Sequence, residues 1–420
     1  MQYNTIHPRK KERMENEIVM ALCCLIFLPS INNFINCIFQ TGLSIPTTFL
    51  TPVTYIAMAF ISVFFLYKYI FHNGAMLLFA FVILVGSLIS YFRYPDIRKV
   101  LYDSPVDLVY SPLNKLFYFC IPAMAGAAKL SDYSKLLKAM KRWSRITIII
   151  GIVAFVFVML IRGRTMQYMV YSYFMLIPIC SSFVSANYQE RAKRTDIALG
   201  IIGGLCIVAC GARGAVLSLI MFFIVLWVSL FREKLTARSL FVLLTVVIGV
   251  ALCLLYYEEI VTGLADFFER NGIKSRFLSS LLDDTILEDD SRENISDTLM
   301  KAIAKNPWGY GFYGDRYATL EFQRQMYYAH NIFLEIPCHL GVVTGPLVLI
   351  FFGWRMVKTL YNRPELNIHK IIIILMPYGF FQLFFSSSYL ECPPFFILIG
   401  FFFFNKHARI HKMNNNRGLQ

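Results

Sequence analysis

Residues 329–335, with the sequence AHNIFLE, mark the point where the one long polar segment of the chain meets an apolar stretch. The polar segment covers residues 258–341, and apolar runs joined by short loops lie on both sides of it. Groups that could do chemistry in water are therefore concentrated in this segment. Loops held on a rigid scaffold are where function usually lies.

The composition indicates a membrane protein. The chain of 420 residues is 57% hydrophobic and only 16% charged, with a mean hydropathy of +0.57, which is too apolar for a water-soluble globular domain. Apolar stretches near the ~20 residues that a helix needs to cross a bilayer recur along it. We therefore expect an all-α polytopic integral membrane protein with about 12 transmembrane helices.

The basic residues indicate the orientation. With the N-terminus inside, 25 of the 40 lysines and arginines fall on cytoplasmic segments, and only 7 fall on short outer loops or span starts. Lysine and arginine accumulate in cytoplasmic loops, so both termini are expected inside and the long loop outside. The net charge of +14 then needs no nucleic acid partner.

Three regions follow from this pattern. Residues 1–257 are expected to hold transmembrane helices one to nine, the ninth at about residues 239–257. Residues 258–330 form the large extracytoplasmic loop that carries the site. Residues 331–420 hold helices ten to twelve and a basic cytoplasmic tail.

Short motifs follow one another in the second half of the chain. They are the turn GARGA at 211–215, the loop arginines Arg276 and Arg292, the run NPWGYG at 306–311, and the pair His330 and Asn331 followed by Leu334, Glu335, Gly341 and Gly345. Their order resembles the bacterial O-antigen polymerases and O-antigen ligases. In that superfamily an arginine-containing stretch precedes an NP.GxG turn, and a segment of the type HN..LE then opens the next span.

The resemblance implies a glycosyltransferase that polymerises undecaprenyl-pyrophosphate-linked oligosaccharide repeat units, as in lipopolysaccharide biosynthesis, at the outer face of the bacterial inner (plasma) membrane. The expected partners are these lipid-linked oligosaccharides and membrane lipid, with a chain-length regulator protein as a further one. No cofactor, metal ion or nucleic acid is expected. The sister alternative is the ligase, which transfers the glycan to the lipid A core; the general character of the loop favours the polymerase.

His330 is the histidine that lies in the predicted outer loop. A lone histidine at a helix start is most often a surface or capping residue. The resemblance instead makes it the candidate catalytic proton acceptor, because imidazole titrates near working pH. His339 would lie about 13 Å further along a helix, too far to share a metal ion with His330. We expect replacement of His339 to matter much less.

Arg213 and Arg292 complete the predicted catalytic set, and Arg276 is expected to bind substrate with them. A pyrophosphate has two anionic centres, and guanidinium groups suit it because each donates a planar fork of hydrogen bonds. The alternatives are ordinary: Arg213 as an interfacial arginine that reaches water, and the loop arginines as solvated surface charges.

Gly309, Gly311, Asn331 and Glu335 are the further candidates for substrate contact. Residues 309–314 formally match the dinucleotide pattern G-x-G-x-x-G, but no predicted strand precedes them. A tight glycine turn that lets backbone approach a substrate fits better. Glu335 is an ionisable residue in a predicted span and hence a functional candidate, although it could equally be a structural partner for an arginine.

A transporter or lipid flippase is the alternative from another class. It would need charged or hydrogen-bonding groups near the bilayer midplane and usually a repeated half. Most of the predicted spans carry no ionisable side chain, and no internal repeat is evident. The enzyme is therefore favoured.

The orientation is directly testable. Reporters fused after Tyr310 should be active outside the cytoplasm, and reporters fused after Asn187 or Asn362 inside it, because of the distribution of lysine and arginine. An inside result at Tyr310 would overturn every site assignment above.

Overall fold

The computed structural model describes residues 8–96, 111–164, 167–188, 194–233, 262–263, 266, 270, 290–323, 328–362 and 366–405. Within these ranges the regular elements are helical and no strand occurs. The chain forms two compact units. The first comprises Met1–Pro29, Thr48–Arg142 and Asp290–Gln420, and the second comprises Ser30–Thr47 and Trp143–Asp289.

The helices are numbered here in chain order. They are α1 (Pro8–Gly42), α2 (Leu50–His72), α3 (Gly74–Arg93), α4 (Pro112–Lys115, Leu116–Cys120 and Ile121–Lys129 without a break), α5 (Tyr133–Ile161), α6 (Tyr168–Tyr188), α7 (Arg194–Cys210), α8 (Arg213–Glu233), α9 (Asp290–Lys305), α10 (Gly314–Gln323), α11 (Ile332–Leu340), α12 (Thr344–Asn362), α13 (Leu366–Gly379) and α14 (Pro393–Ile399). Short turns of tighter helix follow α13 at Phe381–Phe384 and precede α14 at Tyr389–Glu391.

Six helical segments among the described residues are long and apolar enough to cross a membrane. They are α1, α2, α3, α5, most of α6, and Asn367–Phe384, which contains all of α13 except its first residue. Arg213–Ser229 and Pro393–Phe404 are apolar but shorter. The several apolar helices agree with a multi-pass membrane protein, whereas the number of about 12 spans stays a prediction. The predicted ninth span, at 239–257, lies outside the described residues.

The first unit brings helices together through small side chains. A side chain at Gly400 would lie 2.5 Å from the carbonyl oxygen of Met124 in α4, so the backbones approach closely there. Small residues permit such contacts between membrane helices. At the carboxyl end of α4, the side-chain amide of Asn405 donates to the carbonyls of Ala127 and Leu130, which have no partner within the helix. The side-chain oxygen of Asn405 accepts from the hydroxyl of Tyr133.

In the second unit, too, a glycine lets two helices pack closely. A side chain at Gly203 in α7 would lie 3.0 Å from the Ile179 side chain of α6. An ion pair joins the start of α7 to α5, because Arg145 donates from Nε and Nη2 to the two oxygens of Asp196 at 2.7 and 2.9 Å. Asp196 is buried and lies in the first turn of α7, where a negative charge is favourable.

The predicted tenth span is not one helix. The chain was expected to enter a single span at Asn331, but α11 ends at Leu340 and α12 begins at Thr344. The break lies at Gly341, whose φ of +89° does not fit a right-handed helix. Pro337 within α11 also lacks the backbone N–H that a helix interior requires.

Candidate functional site

Residues 307–311 lie against the end of α11 and bond to it through backbone groups. The N–H of Tyr310 donates to the carbonyl of Cys338 at 2.8 Å, and the N–H of Gly311 donates to that of His339 at 2.9 Å. In return the N–H of Val342 donates to the carbonyl of Pro307 at 2.9 Å. We call residues 306–311 the glycine turn. Its position is thus fixed by main-chain hydrogen bonds.

Glycine is required on both sides of this contact. Gly309 has a φ of +88°, and a side chain added to it would lie 2.5 Å from the backbone nitrogen of Gly341. A side chain at Gly341 would lie 2.6 Å from the carbonyl oxygen of Pro307. At Gly311, with a φ of +83°, it would lie 2.5 Å from the hydroxyl of Ser90 in α3. The close approach at these glycines is therefore made by the chain's own atoms, and substrate contact at Gly309 and Gly311 stays a prediction.

A buried carboxylate, that of Asp315, lies immediately beyond the glycine turn. Asp315 is in the first turn of α10 and has no solvent exposure. Its Oδ1 accepts from Nε2 of His339 at 2.8 Å, and its Oδ2 accepts from the backbone N–H of Ala329 at 3.0 Å. The other ring nitrogen of His339 lies 3.0 Å from the hydroxyl of Tyr389. Asp315 therefore ties α10 to both ends of the segment 329–339.

Two further carboxylates are held nearby. Glu335 of α11 is fully buried, and it accepts a short hydrogen bond from the hydroxyl of Ser388 and one of 3.3 Å from the backbone N–H of Tyr389. Glu391 pairs with Arg316 of α10 by a short contact and with Nζ of Lys115 of α4 at 2.9 Å. We call Lys115, Asp315, Arg316, Glu335, His339, Ser388, Tyr389 and Glu391 the buried polar network.

The network keeps two of its carboxylates ionised. Burial alone would raise the pKa of Asp315, but the neighbouring His339 and Arg316 hold that pKa below its ordinary value. Burial likewise opposes ionisation of Glu391, and the cations of Lys115 and Arg316 hold its pKa below the usual range. Both groups therefore carry a negative charge at neutral pH.

Three residues of the network form a geometry that a metal ion could use. One ligand atom from each of Asp315, Glu335 and His339 lies within 4.8 Å of the others. Each residue, however, already has a protein hydrogen-bond partner. Three carboxylates against one lysine and one arginine also reach neutrality with a single proton, whereas a divalent cation would leave an excess positive charge. The absence of a metal requirement stays a prediction.

His330 is the residue after Ala329, whose backbone bonds to Asp315 of the buried polar network. Its backbone has a φ of +55°, an unusual conformation for a residue other than glycine, and its ring lies 3.8 Å from that of Tyr328. The preceding residue is Ala329, whose N–H is held by Asp315. The following residue, Asn331, caps α11 by accepting from the N–H of Phe333 at 2.9 Å. His330 is thus held at the amino end of a helix by contacts on both sides.

A comparison with known families covers the segment that carries these groups. Residues 197–352 match the O-antigen ligase family model. The match confirms the resemblance to the O-antigen ligase and polymerase superfamily that the sequence motifs suggested. No curated protein and no solved structure matches the chain significantly.

The matched segment contains the three arginines of the predicted clamp, and the structure describes them to different extents. Arg213 is the first residue of α8, in the second compact unit, and follows Gly211 with its φ of +81°. Arg292 lies in the first turns of α9, in the first unit, although its side chain is outside the described parts. Arg276 lies outside the described residues. Their joint binding of pyrophosphate therefore stays a prediction.

Asn331 and Glu335, which were expected to contact substrate, have partners within the protein. Asn331 caps α11. The carboxylate of Glu335, on α11, is buried against Ser388 and Tyr389 and accepts hydrogen bonds from both. Contact of Glu335 with a substrate would require its carboxylate to become accessible. Substrate binding by either residue stays a prediction.

Spacing along the chain did not reveal the buried polar network. Asp315 and His339 are 24 residues apart, and Glu391 is 75 residues from Arg316. One signal was available: Glu391 stands alone in the apolar stretch 371–404, and an ionisable residue in such a stretch is a functional or structural candidate by default. His339, to which the sequence assigned little importance, is central to the network. Its removal would leave Asp315 buried without a main partner, which is strongly destabilising.

The contact between the two glycines can be tested by stability. Gly341→Ala should destabilise the purified protein by about 1 to 3 kcal/mol from backbone strain alone, because the conformation at this position is open to glycine only. The matched control is Gly353→Ala in α12, where an added side chain meets no atom within 4 Å. That variant should be neutral or slightly more stable, since glycine in a helix costs about 0.5 to 1 kcal/mol relative to alanine. Equal melting temperatures for the two variants in detergent would contradict the packing described here.

Proposed function

We propose that the protein is a membrane glycosyltransferase that polymerises undecaprenyl-pyrophosphate-linked oligosaccharide repeat units at the outer face of the plasma membrane. The observation that carries the proposal is the O-antigen ligase match over 197–352, the segment that contains the arginines, the glycine turn and His330. The apolar helices on either side support an enzyme that works on lipid-linked substrates at a membrane.

The proposed reaction is a single displacement between two lipid-linked glycans. A sugar hydroxyl of the acceptor repeat unit attacks the anomeric carbon of the donor saccharide, and a new glycosidic bond forms. The bond between that carbon and the pyrophosphate oxygen breaks, and its electron pair leaves with undecaprenyl pyrophosphate. The hydroxyl proton passes to a base. The protein must therefore bind a doubly anionic leaving group and accept one proton.

His330 is the proposed base. A sugar hydroxyl is a poor nucleophile, and general-base help of this kind is typically about 10²- to 10⁴-fold. The conformation of His330 supports the role, because its neighbours on both sides are held by Asp315 and by the cap of α11. Asp315 is then a positioning residue: it bonds to the backbone next to His330 and fixes where the imidazole can go.

The leaving group is assigned to arginines. The pyrophosphate would be neutralised by Arg213, Arg276 and Arg292 together, since one guanidinium group can donate two parallel hydrogen bonds to phosphate oxygens. The amino end of α11 would add a favourable helix dipole near His330. The proposed chemistry uses no metal ion.

The ligase is the second candidate, because the family description that matches 197–352 is that of O-antigen ligase. Its chemistry at the donor is the same, and only the acceptor differs, being the lipid A core instead of another repeat unit. The lipopolysaccharide pattern of a deletion strain separates the two. A single repeat unit on the core indicates a lost polymerase, and bare core with accumulated lipid-linked polymer indicates a lost ligase. An unchanged pattern would contradict both.

The base role predicts the result of replacing His330. His330→Asn should abolish or nearly abolish polymer, a loss of about 10²- to 10⁴-fold, while protein level and donor binding stay near normal. Asparagine is the sharper replacement beside alanine because it tolerates a positive φ and so preserves the backbone. The control is His72→Ala, at an exposed histidine that ends α2 on the predicted cytoplasmic side. Near-normal ladders from a well-expressed His330→Asn strain would rule out the base role.

The clamp predicts a loss on replacing arginine with lysine. Arg213→Lys and Arg292→Lys retain the charge but lose the planar fork, so activity should fall well below wild type. Polymer formation should persist in excess chelator, because arginines rather than a metal ion would neutralise the leaving group. Full-length polymer from a strain carrying both lysine variants would show that the clamp is wrong, and loss of activity in chelator would show that it is incomplete.

A further inference from the structure

The tip of the glycine turn is an exposed apolar patch. The side chain of Trp308 is 88% exposed, although tryptophan is highly buried on average. Its neighbours across the turn are Val342 and Val343, which are also exposed. The two segments are adjacent because Val342 donates its N–H to the carbonyl of Pro307. We call Trp308, Val342 and Val343 the turn patch.

The turn patch is presented rigidly. The amide of Asn306 donates to the carbonyl of Gly309 at 2.8 Å, and the N–H of Gly309 donates back to the carbonyl of Asn306 at 3.1 Å. The contact between Gly309 and Gly341 then fixes the turn against the end of α11. A large aromatic ring on a fixed backbone loses little conformational entropy when it binds something.

The turn patch continues into an exposed apolar stripe along α12. The stripe consists of side chains spaced three or four residues apart, which places them on one face of the helix: Leu347, Ile350, Phe351, Trp354, Val357 and Tyr361. From Thr344 to Tyr361 the helix rises about 26 Å, which is close to the ~30 Å thickness of the hydrocarbon core of a bilayer.

Both ends of this stripe carry residues that suit a membrane–water interface. Trp308 lies at the amino end, and Tyr361 lies at the carboxyl end. Nζ of Lys358 lies 4.5 Å from the ring centre of Trp354, one helical turn closer to the amino end, so the lysine side chain covers part of the stripe. Tryptophan and tyrosine are enriched at the two interfaces of a membrane. The length of the stripe and the aromatic residues at its two ends both fit a helix that crosses the bilayer.

We propose that the turn patch lies in the interfacial layer of the bilayer leaflet at the amino end of α12, and that Trp308 thereby fixes the depth of the glycine turn. The occupant of this surface is lipid. The backbone of the glycine turn bonds to Cys338 and His339, so its depth also sets the depth of the buried polar network and of the chain around His330. The inference requires α12 to cross the bilayer, although α12 is not one of the six described segments that are long and apolar enough by themselves. It does not depend on the proposed enzymatic activity.

Tryptophan fluorescence can test this placement, because the chain has four tryptophans, Trp143, Trp227, Trp308 and Trp354. A variant that retains Trp308 alone, with phenylalanine at the other three, would be placed in nanodiscs. The lipids would carry bromine either near the glycerol end of the acyl chain or near its terminus. We expect blue-shifted emission, strong quenching by the shallow bromine, weaker quenching by the deep bromine, and little quenching by aqueous iodide.

The matched control retains Trp354 alone. Trp354 lies about 15 Å along α12 from its amino end, so deep bromine should quench it more than shallow bromine does. If a single-tryptophan variant does not fold, the same quenching is measured on the wild type and on Trp308→Phe, and the difference gives the signal of Trp308. Quenching of Trp308 by iodide with no response to brominated lipid would overturn the proposal. So would emission from Trp308 that responds to added oligosaccharide but not to lipid, or burial of Trp308 in a protein contact shielded from both quenchers.

Discussion

The arrangement of helices in the first compact unit depends on the hydrogen bonds that the buried carboxylate of Asp315 accepts. It bonds with one oxygen to His339 of α11 and with the other to the backbone of Ala329, while Arg316 beside it pairs with Glu391. A buried carboxylate without partners is very costly, and removal of one partner from a buried pair destabilises a protein by about 3 to 5 kcal/mol. The segments that meet at Asp315 are therefore held in one arrangement, and His330 is part of one of them.

The glycine turn and the buried polar network are joined by hydrogen bonds. The turn bonds to the carbonyls of Cys338 and His339, and the ring of His339 then bonds to Asp315. Backbone groups outside regular helices need partners when they are buried. The turn finds them in the free carbonyls at the end of α11, which also lets the chain change direction at Gly341. The same short region thus ends one helix, begins the next and leaves His330 at the amino end of the first.

The sequence predicted the parts of this arrangement that depend on local pattern. Hydropathy indicated helical membrane segments, and the motifs indicated a resemblance that the family match over 197–352 confirms. The glycines at 309 and 311 were recognised as special, but the group that approaches them could not be read from spacing. Gly309 meets Gly341, which is 32 residues away, and a contact of that kind depends on the tertiary fold.

The same limit explains why the network was not predicted. Asp315, His339 and Glu391 look like ordinary surface or span residues until α10, α11 and the Tyr389–Glu391 turn are brought together. Hydropathy also predicted an unbroken tenth span, because Gly341 and Pro337 reduce an apolar average only slightly. Their effect is on backbone conformation and hydrogen bonding.

We propose that Asp315 acts on catalysis by holding His330 in place, and a double-mutant cycle tests this role most directly. Polymer formation would be measured with purified, reconstituted protein for wild type, Asp315→Asn, His330→Asn and the double variant, with each checked for folding by its melting temperature. If Asp315 works through His330, Asp315→Asn should lower kcat with little change in KM, and it should cost little more when His330 is already replaced. Full activity of a folded Asp315→Asn variant, or losses that simply multiply in the double variant, would contradict the claim.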